Sequence, residues 1–308
     1  MFVEEYLVDL RREGYTPAAW RRYVDRSFRL ARESAFERPA MLRSIALAGV
    51  LGFLVLLGVS LGAAFVAGAR LSVEIFSQCG LMLLAGVAIM AGHVRLLVRP
   101  DGTAVERINP ANLLTLSRLV AIPAMLALVR HGFLPAALLT FLLGGFTDVL
   151  DGWLARRRGD ATDFGRIFDP IVDIAFHLAI FLALHAVGLI PDWVLVLVLL
   201  RYGLLAFGAV GISVFRGPVE IRPTVLGKTT GVVMTMLVAM LVAGRLTLPS
   251  AVSGRIETLI VLAIGFVEAI TIPQVLLIGW YNFRKAGRGT PPVIALVSSD
   301  EESARRLR

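Results

Sequence analysis

The sequence predicts an all-α, polytopic membrane protein, and three observations carry that prediction: the composition, eight long apolar segments, and the placing of the arginines. Of 308 residues, 57% are hydrophobic and only 18% charged, with a mean hydropathy of +0.77. Soluble domains run nearer half apolar and a quarter charged, so most of this chain belongs in lipid. Segments near 44–69, 74–94, 111–130, 133–150, 168–188, 192–215, 228–248 and 256–281 are each long enough, or nearly so, to cross a hydrocarbon core of about 30 Å.

The arginines set the expected orientation. Nine of them precede residue 44, which puts the N-terminus in the cytosol, and an even number of spans returns the C-terminus there. The same topology keeps Arg95, Arg99, Arg107, Arg156, Arg157, Arg158, Arg166, Arg216, Arg222, Lys228, Arg284, Lys285 and Arg288 inside. Arg70, Arg130, Arg245 and Arg255 fall outside. The formal charge of +8 therefore reads as basic loops facing anionic lipid, and not as a nucleic-acid surface. The charged first 40 residues lack the apolar core of a secretory leader. With the arginine usage, this predicts a bacterial inner-membrane protein whose termini and active site are cytosolic.

Taken in order, residues 1–43 interleave Phe2, Tyr6, Leu7, Leu10, Trp20, Tyr23, Phe28 and Leu30 with arginine, broken at Gly14 and Pro17. That predicts a cytosolic amphipathic arm of one or two helices lying on the membrane surface. Residues 44–98 form a two-span extension, and a polar joint over 95–110 leads into a six-span unit at 107–285. Residues 286–308 read as a disordered tail. No internal repeat is visible, which weighs against an inverted-repeat transporter. A single cysteine, Cys79, excludes an internal disulfide framework and cysteine-based metal sites. His93, His131, His177 and His185 have no metal-ligand spacing.

Chemistry concentrates in residues 147–176, TDVLDGWLARRRGDATDFGRIFDPIVDIAF. Asp148, Asp151, Asp169 and Asp173 stand at the ends of two apolar segments, where each ionised group costs a few kcal/mol. Asp148 and Asp151 are i,i+3, and Asp169 and Asp173 are i,i+4, so each pair shares a helix face. The short loop near 157–165 makes the two helices antiparallel neighbours. Four mutually repelling carboxylates are best accommodated by divalent metal. All-oxygen ligation without nearby His or Cys suits Mg²⁺ or Mn²⁺, whose shells are commonly completed by substrate phosphate. Gly152, Ala155 and Gly165 leave backbone open beside the carboxylates, and Arg156 offers a planar fork for phosphate.

The order Asp148-x₂-Asp151-Gly152-x₂-Ala155-Arg156-x₈-Gly165-x₃-Asp169-x₃-Asp173 resembles the complete signature of the CDP-alcohol phosphotransferase family. Its specified positions coincide by chance with a probability on the order of 10⁻¹⁰ per start position, so the resemblance is specific. It covers roughly residues 107–285 and implies a six-span bundle acting as a homodimer. It also implies that Asp148, Asp151, Asp169 and Asp173 bind a pair of divalent ions, with Asp173 also the base that deprotonates the acceptor hydroxyl. Gly152, Ala155, Arg156 and Gly165 would line the pocket for the CDP moiety. NPANLLTLSRLVAIP (109–123) and RPTVLGKTTG (222–231) are similar to segments of phosphatidylglycerophosphate synthases. By that resemblance Arg118, Arg222 and Lys228 would meet an acceptor phosphate. The expected donor is CDP-diacylglycerol and the expected acceptor glycerol 3-phosphate. Those synthases usually carry Asp-Lys where this chain has Asp173-Ile174, so inositol phosphate, serine and phosphatidylglycerol stay open as acceptors.

Blander readings compete at several residues. Arg157, Arg158 and Arg166 fit topology-setting charge, His177 a packing histidine, and Asp160 and Asp163 solvated loop positions. Met125, Phe141, Phe146 and Phe176 fit packing or lipid contact. Arg118, inside an apolar span, calls for a carboxylate or a phosphate. Glu268, deep in the last span, calls for Arg118 or Arg201. A transporter would continue its polar path across the membrane, whereas the outer halves of these spans hold almost no polar residues. A non-catalytic scaffold would lack a signature carboxylate, and none is missing.

Overall fold

The computed structural model describes residues 9–10, 12–99, 101–158, 161–215 and 225–286. Of residues 35, 148–149, 151–158, 213–214, 225–226, 228, 250–251 and 285–286 it describes the backbone alone. Of the expected tail, 286–308, the first residue ends the last helix and 287–308 lie outside the described residues, as do Asp160 and Arg222.

Nine α-helices follow one another among the described residues: α1 (Pro17–Glu37), α2 (Pro39–Ala67), α3 (Ala69–Gly92), α4 (Pro110–Arg130), α5 (Leu134–Arg158), α6 (Asp163–Ala186), α7 (Asp192–Phe215), α8 (Val225–Thr247) and α9 (Ser250–Ala286). No β-strand is among them. Helices α2 to α9 coincide with the eight expected segments. Among the described residues seven of them hold a stretch long and apolar enough to cross a membrane, and α5 holds a shorter apolar stretch, Leu134–Thr147. The helix continues to Arg158, beyond the segment end expected at 150 and into the first residues of the loop expected near 157–165. The start of α6 is likewise earlier than the apolar pattern suggests. Thr162 caps it, its hydroxyl accepting the Gly165 N–H at 3.1 Å, which satisfies one of the free amides of the first turn.

Helix α4 is the axle of the bundle, packed on α3, α5 and α6, while α6 leans on α7, α5 on α8, and α9 on α7 and α8. One core joins Met125, Phe141, Phe176, Ile180, Val198, Met234 and Ile264 across the six later helices. A second joins the extension to the site helices: Met41, Ile45, Leu83 and Met90 meet Leu116, Phe164, Phe168 and Val172. Glycine makes two of these approaches possible. A Cβ on Gly86 of α3 would fall on the Leu116 side chain of α4, and one on Gly144 of α5 would fall on the Phe176 ring of α6. Phe176 stacks on Phe141, centroids 5.8 Å apart, so α5 and α6 meet there, seven residues from Asp148 on one side and from Asp169 on the other.

The ends of the bundle are tied by polar contacts. At the end where α4 and α6 begin, the joint folds into a small hairpin with a Val98–Ala104 bridge, turning at Gly102 (φ 82°). Thr103 donates from both amide and hydroxyl to Asp101, holding that carboxyl below its ordinary range. Val98 carbonyl accepts the Asp163 N–H at 3.1 Å, and Ser44 Oγ accepts the Ile108 N–H at 3.0 Å. At the opposite end, Glu74 of α3 pairs with Arg130 and His131 just where α4 finishes.

The two glycine crossings differ in what must move. The Leu116 side chain ends in a rotatable isobutyl group, but Phe176 is fully buried and clamped by a stacked ring. Gly144→Ala is therefore expected to lower stability by about 1–3 kcal/mol through overpacking, and Gly86→Ala by less. Thermal unfolding of the detergent-solubilised variants measures both; equal losses would contradict the assignment.

Candidate active site

Two helix starts facing each other build the site. Asn109 caps α4, its side chain accepting the Asn112 N–H at 2.8 Å, and Pro110 follows at the first helical position, where its missing N–H costs nothing. Helical spacing then puts Asn112, Thr115 and Arg118 on one face, and all three look at α6. The Asn112 amide lies 3.3 Å from the Thr162 hydroxyl. The Thr115 hydroxyl donates to Asp169 Oδ1 at 2.7 Å. One turn further in, the Arg118 guanidinium pairs with Asp173 Oδ1.

The burial of that pair is unequal. The Arg118 side chain is 1% exposed and that of Asp173 30%, so the cation is locked in the protein while the carboxylate keeps an open side. Arg118 thus finds the carboxylate partner its burial demands. Gly165 sits where α4 and α6 come closest. A Cβ there would lie 3.1 Å from Asn112 Oδ1, 3.3 Å from Asp169 Oδ2 and 3.4 Å from Thr162 Oγ1. Any larger side chain would crowd the oxygen of Asp169 that Thr115 does not hold. In α6, Pro170 follows Asp169 and cannot donate to the Arg166 carbonyl, which loosens the helix between the two aspartates.

Asp148, Asp151, Gly152, Ala155 and Arg156 are consecutive turns of α5, but their side chains lie outside the described residues, as does that of Lys228 at the start of α8. Among the described residues no group of three His, Cys, Asp or Glu side chains gathers. Asp163 is the first residue of α6, 3.5 Å from Arg166 on an exposed surface, and takes no part in the site. His177 packs as expected, with Nδ1 2.9 Å from the Asp173 carbonyl and its ring stacked on Tyr202. Glu268 pairs with Arg201, at 3.1 and 3.2 Å, and not with Arg118.

Sequence reading singled out Arg118 and the aspartates but gave Asn109, Thr115 and Thr162 no role. Asn109-Pro110 is a readable helix start, and Thr162 three residues before Gly165 is another. The Thr115–Asp169 bond spans 54 residues, and a single sequence carries no signal for it.

Comparison with known proteins decides the family. A family model described as CDP-alcohol phosphatidyltransferase matches residues 108–280, more than half of the chain. The chain belongs to the CDP-alcohol phosphatidyltransferase family. It is 33% identical over 161 residues to a probable phosphatidylglycerophosphate synthase of Mycobacterium tuberculosis (strain CDC 1551 / Oshkosh), covering 50% of this chain and 73% of that one. It is 36% identical over 66 residues to the CDP-diacylglycerol–glycerol-3-phosphate 3-phosphatidyltransferase of Treponema pallidum (strain Nichols), covering 21% and 31%. To the CMP-forming cardiolipin synthase of Streptomyces coelicolor (strain ATCC BAA-471 / A3(2) / M145) it is 32% identical over 100 residues, covering 30% and 46%. No solved structure matches this chain. The protein is thus a phosphatidyltransferase of phospholipid biosynthesis, which removes the transporter reading. The matched family region begins at the joint and leaves the arm and α2–α3 outside it.

Two substitutions separate the roles of the α4 residues. Arg118→Leu leaves the Asp173 charge without its partner and is expected to cost up to about 3 kcal/mol, much of it recovered when Asp173→Leu is added. Thr115→Val keeps shape and removes one hydrogen bond, worth about 1 kcal/mol, yet should lower turnover more than stability because Asp169 loses its hold. Unfolding midpoints and turnover on the same preparations give both numbers; a Thr115→Val enzyme with full turnover would exclude the positioning role.

Proposed function

We propose that this protein transfers the phosphatidyl group of CDP-diacylglycerol to glycerol 3-phosphate, forming phosphatidylglycerophosphate and CMP, at the cytosolic face of a bacterial inner membrane. The observation that carries this reading is the setting of Asp169 and Asp173 on α6. One oxygen of Asp169 is held by Thr115, Gly165 puts no Cβ against the other, and Asp173 is oriented by Arg118 four residues on. Glycerol 3-phosphate is favoured as acceptor because the relatives from Treponema pallidum and Rickettsia felis are named for that substrate. The name of the Mycobacterium tuberculosis relative points the same way.

The donor set fits a hard divalent cation. Asp148, Asp151, Asp169 and Asp173 would hold Mg²⁺ or Mn²⁺, two ions, through carboxylate oxygens alone, and Gly165 leaves the approach to Asp169 Oδ2 unobstructed. Bound there, the ions would supply positive charge to the donor's pyrophosphate and to the departing CMP. Gly152, Ala155 and Arg156, on the turns of α5 that carry the first two aspartates, would receive the CDP moiety, with Gly165 across from them. Asp173 would take the proton of the acceptor hydroxyl. The new bond joins that oxygen to the β-phosphorus, the bond from phosphorus to the CMP oxygen breaks, and CMP leaves with the electron pair. Arg118 positions Asp173 for this task through its ion pair. Arg222 and Lys228, at the entry of α8, would hold the acceptor's own phosphate, and α8 packs on α5. The acyl chains of the donor would stay in the bilayer and reach the site laterally. We take the working unit to be a homodimer, as the family resemblance implies.

The test is CMP release by purified protein supplied with CDP-diacylglycerol and Mg²⁺, with glycerol 3-phosphate, inositol phosphate, serine and phosphatidylglycerol offered singly. Release with glycerol 3-phosphate alone is expected, abolished by chelation and reduced by at least about 10³-fold in Asp173→Asn. Release with another acceptor alone would replace the substrate and keep the reaction. Lys228→Ala should raise KM for glycerol 3-phosphate far more than it lowers kcat.

A further inference from the structure

The arm has two anchors, and both are at the site end of the bundle. At its start the Tyr15 ring packs on Phe215, the last residue of α7, with centroids 5.2 Å apart. At its finish the Arg38 guanidinium donates to the carbonyls of Val94 and Leu97 just beyond α3, at 3.3 and 3.4 Å. Between these anchors α1 is an unbroken helix of 21 residues, about 30 Å long at 1.5 Å per residue. A helix pinned at both ends to one end of a membrane bundle runs along the membrane plane and cannot stand up into water. The segment before it is held by the same helix through Arg22–Glu13 and Arg26–Asp9.

One face of α1 is used by the protein: Ala19 and Ser34 are buried, and Tyr23 and Leu30 are half-buried. About a quarter turn round the helix, Trp20, Val24 and Phe28 form an i, i+4, i+8 stripe that the protein leaves open, Phe28 to 73%. Arg32 stands four residues after Phe28 and Arg21 seven before it, so both exposed arginines rim the same stripe. Two residues beyond the end of α1, at Pro39, the first membrane helix begins, and its own open apolar surface starts at Leu47.

We propose that this face of α1 is a binding surface for an anionic lipid leaflet, with Trp20, Val24 and Phe28 seated at the boundary of headgroups and acyl chains and Arg21 and Arg32 on lipid phosphates. Three features select lipid over a protein partner. The helix is held in the membrane plane, it leads directly into the first membrane helix with its own open apolar surface, and the rim charge is complementary to acidic headgroups. Tryptophan at the edge of such a stripe suits the interfacial layer, where its ring is half apolar and half wet. The proposal holds whichever alcohol the enzyme accepts.

The experiment uses the full-length protein with Cys79→Ala, carrying a nitroxide at Val24→Cys or, for comparison, at Arg29→Cys on the water-facing side. Each is reconstituted in phosphatidylcholine vesicles with and without phosphatidylglycerol, and label accessibility to oxygen and to a water-soluble nickel chelate is measured. The residue 24 label should be several-fold less accessible to nickel than the residue 29 label while staying accessible to oxygen. That protection should be stronger with phosphatidylglycerol and weaker in high salt or with Arg21→Gln and Arg32→Gln. Free access of nickel to residue 24 in both vesicles would overturn the proposal. So would protection from both reagents, which would mean that protein, including a second copy of this chain, covers the stripe. Equal protection in the two vesicles would overturn anionic lipid as the partner.

Discussion

A guanidinium enclosed in apolar helices is tolerable only with a counter-charge at contact distance, and in this protein the counter-charge on α6 decides how α4 and α6 sit together. Because Arg118 must reach Asp173, the α4 face carrying Asn112 and Thr115 is turned towards the start of α6 as well. The rotation that satisfies one buried cation therefore brings a hydroxyl to Asp169 and an amide to Thr162. Gly165 is the corollary, since a Cβ there would lie 3.1 Å from Asn112 Oδ1 of α4 and would press that side chain back by a few tenths of an ångström. Other contacts in the site follow from this orientation, and the Phe141–Phe176 stack then brings α5, with its share of the signature, alongside.

The residues outside the family match are built into the same arrangement. Phe164, Phe168 and Val172 occupy the face of α6 away from its aspartates, and they pack on Met41, Ile45, Leu83 and Met90 of α2 and α3. The joint adds a directional contact, because the Val98 carbonyl takes the Asp163 N–H at the first residue of α6, where no helical acceptor exists. Thus the helix that carries Asp169 and Asp173 is capped by its own Thr162 on one side and by the extension on the other. The extension serves as the rear wall of the site, and its packing fixes the depth at which the carboxylates lie.

How much of this was legible in the sequence follows from the range of each interaction. Helices α2 to α9 were readable because lipid demands long apolar runs, and the signature was readable because all its positions fall within 26 consecutive residues, 148–173. Arg118 and Glu268 were readable as residues in need of partners, since burying a charge is costly wherever it occurs; the choice of Arg201 for Glu268 required the fold. Helix limits were less legible where capping and not hydropathy sets them, as at Thr162, and where a helix runs on beyond the expected segment, as α5 does past 150 to Arg158. Thr115 shares a helix face with Arg118, but its bond to Asp169 depends on the rotation of one helix against another. Periodicity along a chain does not encode that quantity.

The two intramembrane ion pairs show how one physical rule serves two ends. Arg201–Glu268 joins α7 to α9 with both partners buried and Glu268 wholly enclosed, so nothing from outside can compete for either charge. Such a pair repays its desolvation only in part, and its effect is to specify which faces of two apolar helices meet. Arg118–Asp173 costs the same kind of desolvation on the cation alone, because the carboxylate keeps contact with the exterior. An incoming group can therefore reach Asp173 without first dismantling the packing around Arg118. His177, with Nδ1 2.9 Å from the backbone carbonyl of Asp173, stacks on Tyr202, whose ring lies under the Arg201 guanidinium. The two pairs thus differ in one respect: Glu268 is sealed against anything but Arg201, whereas Asp173 meets Arg118 on one side and keeps 30% of its side chain exposed.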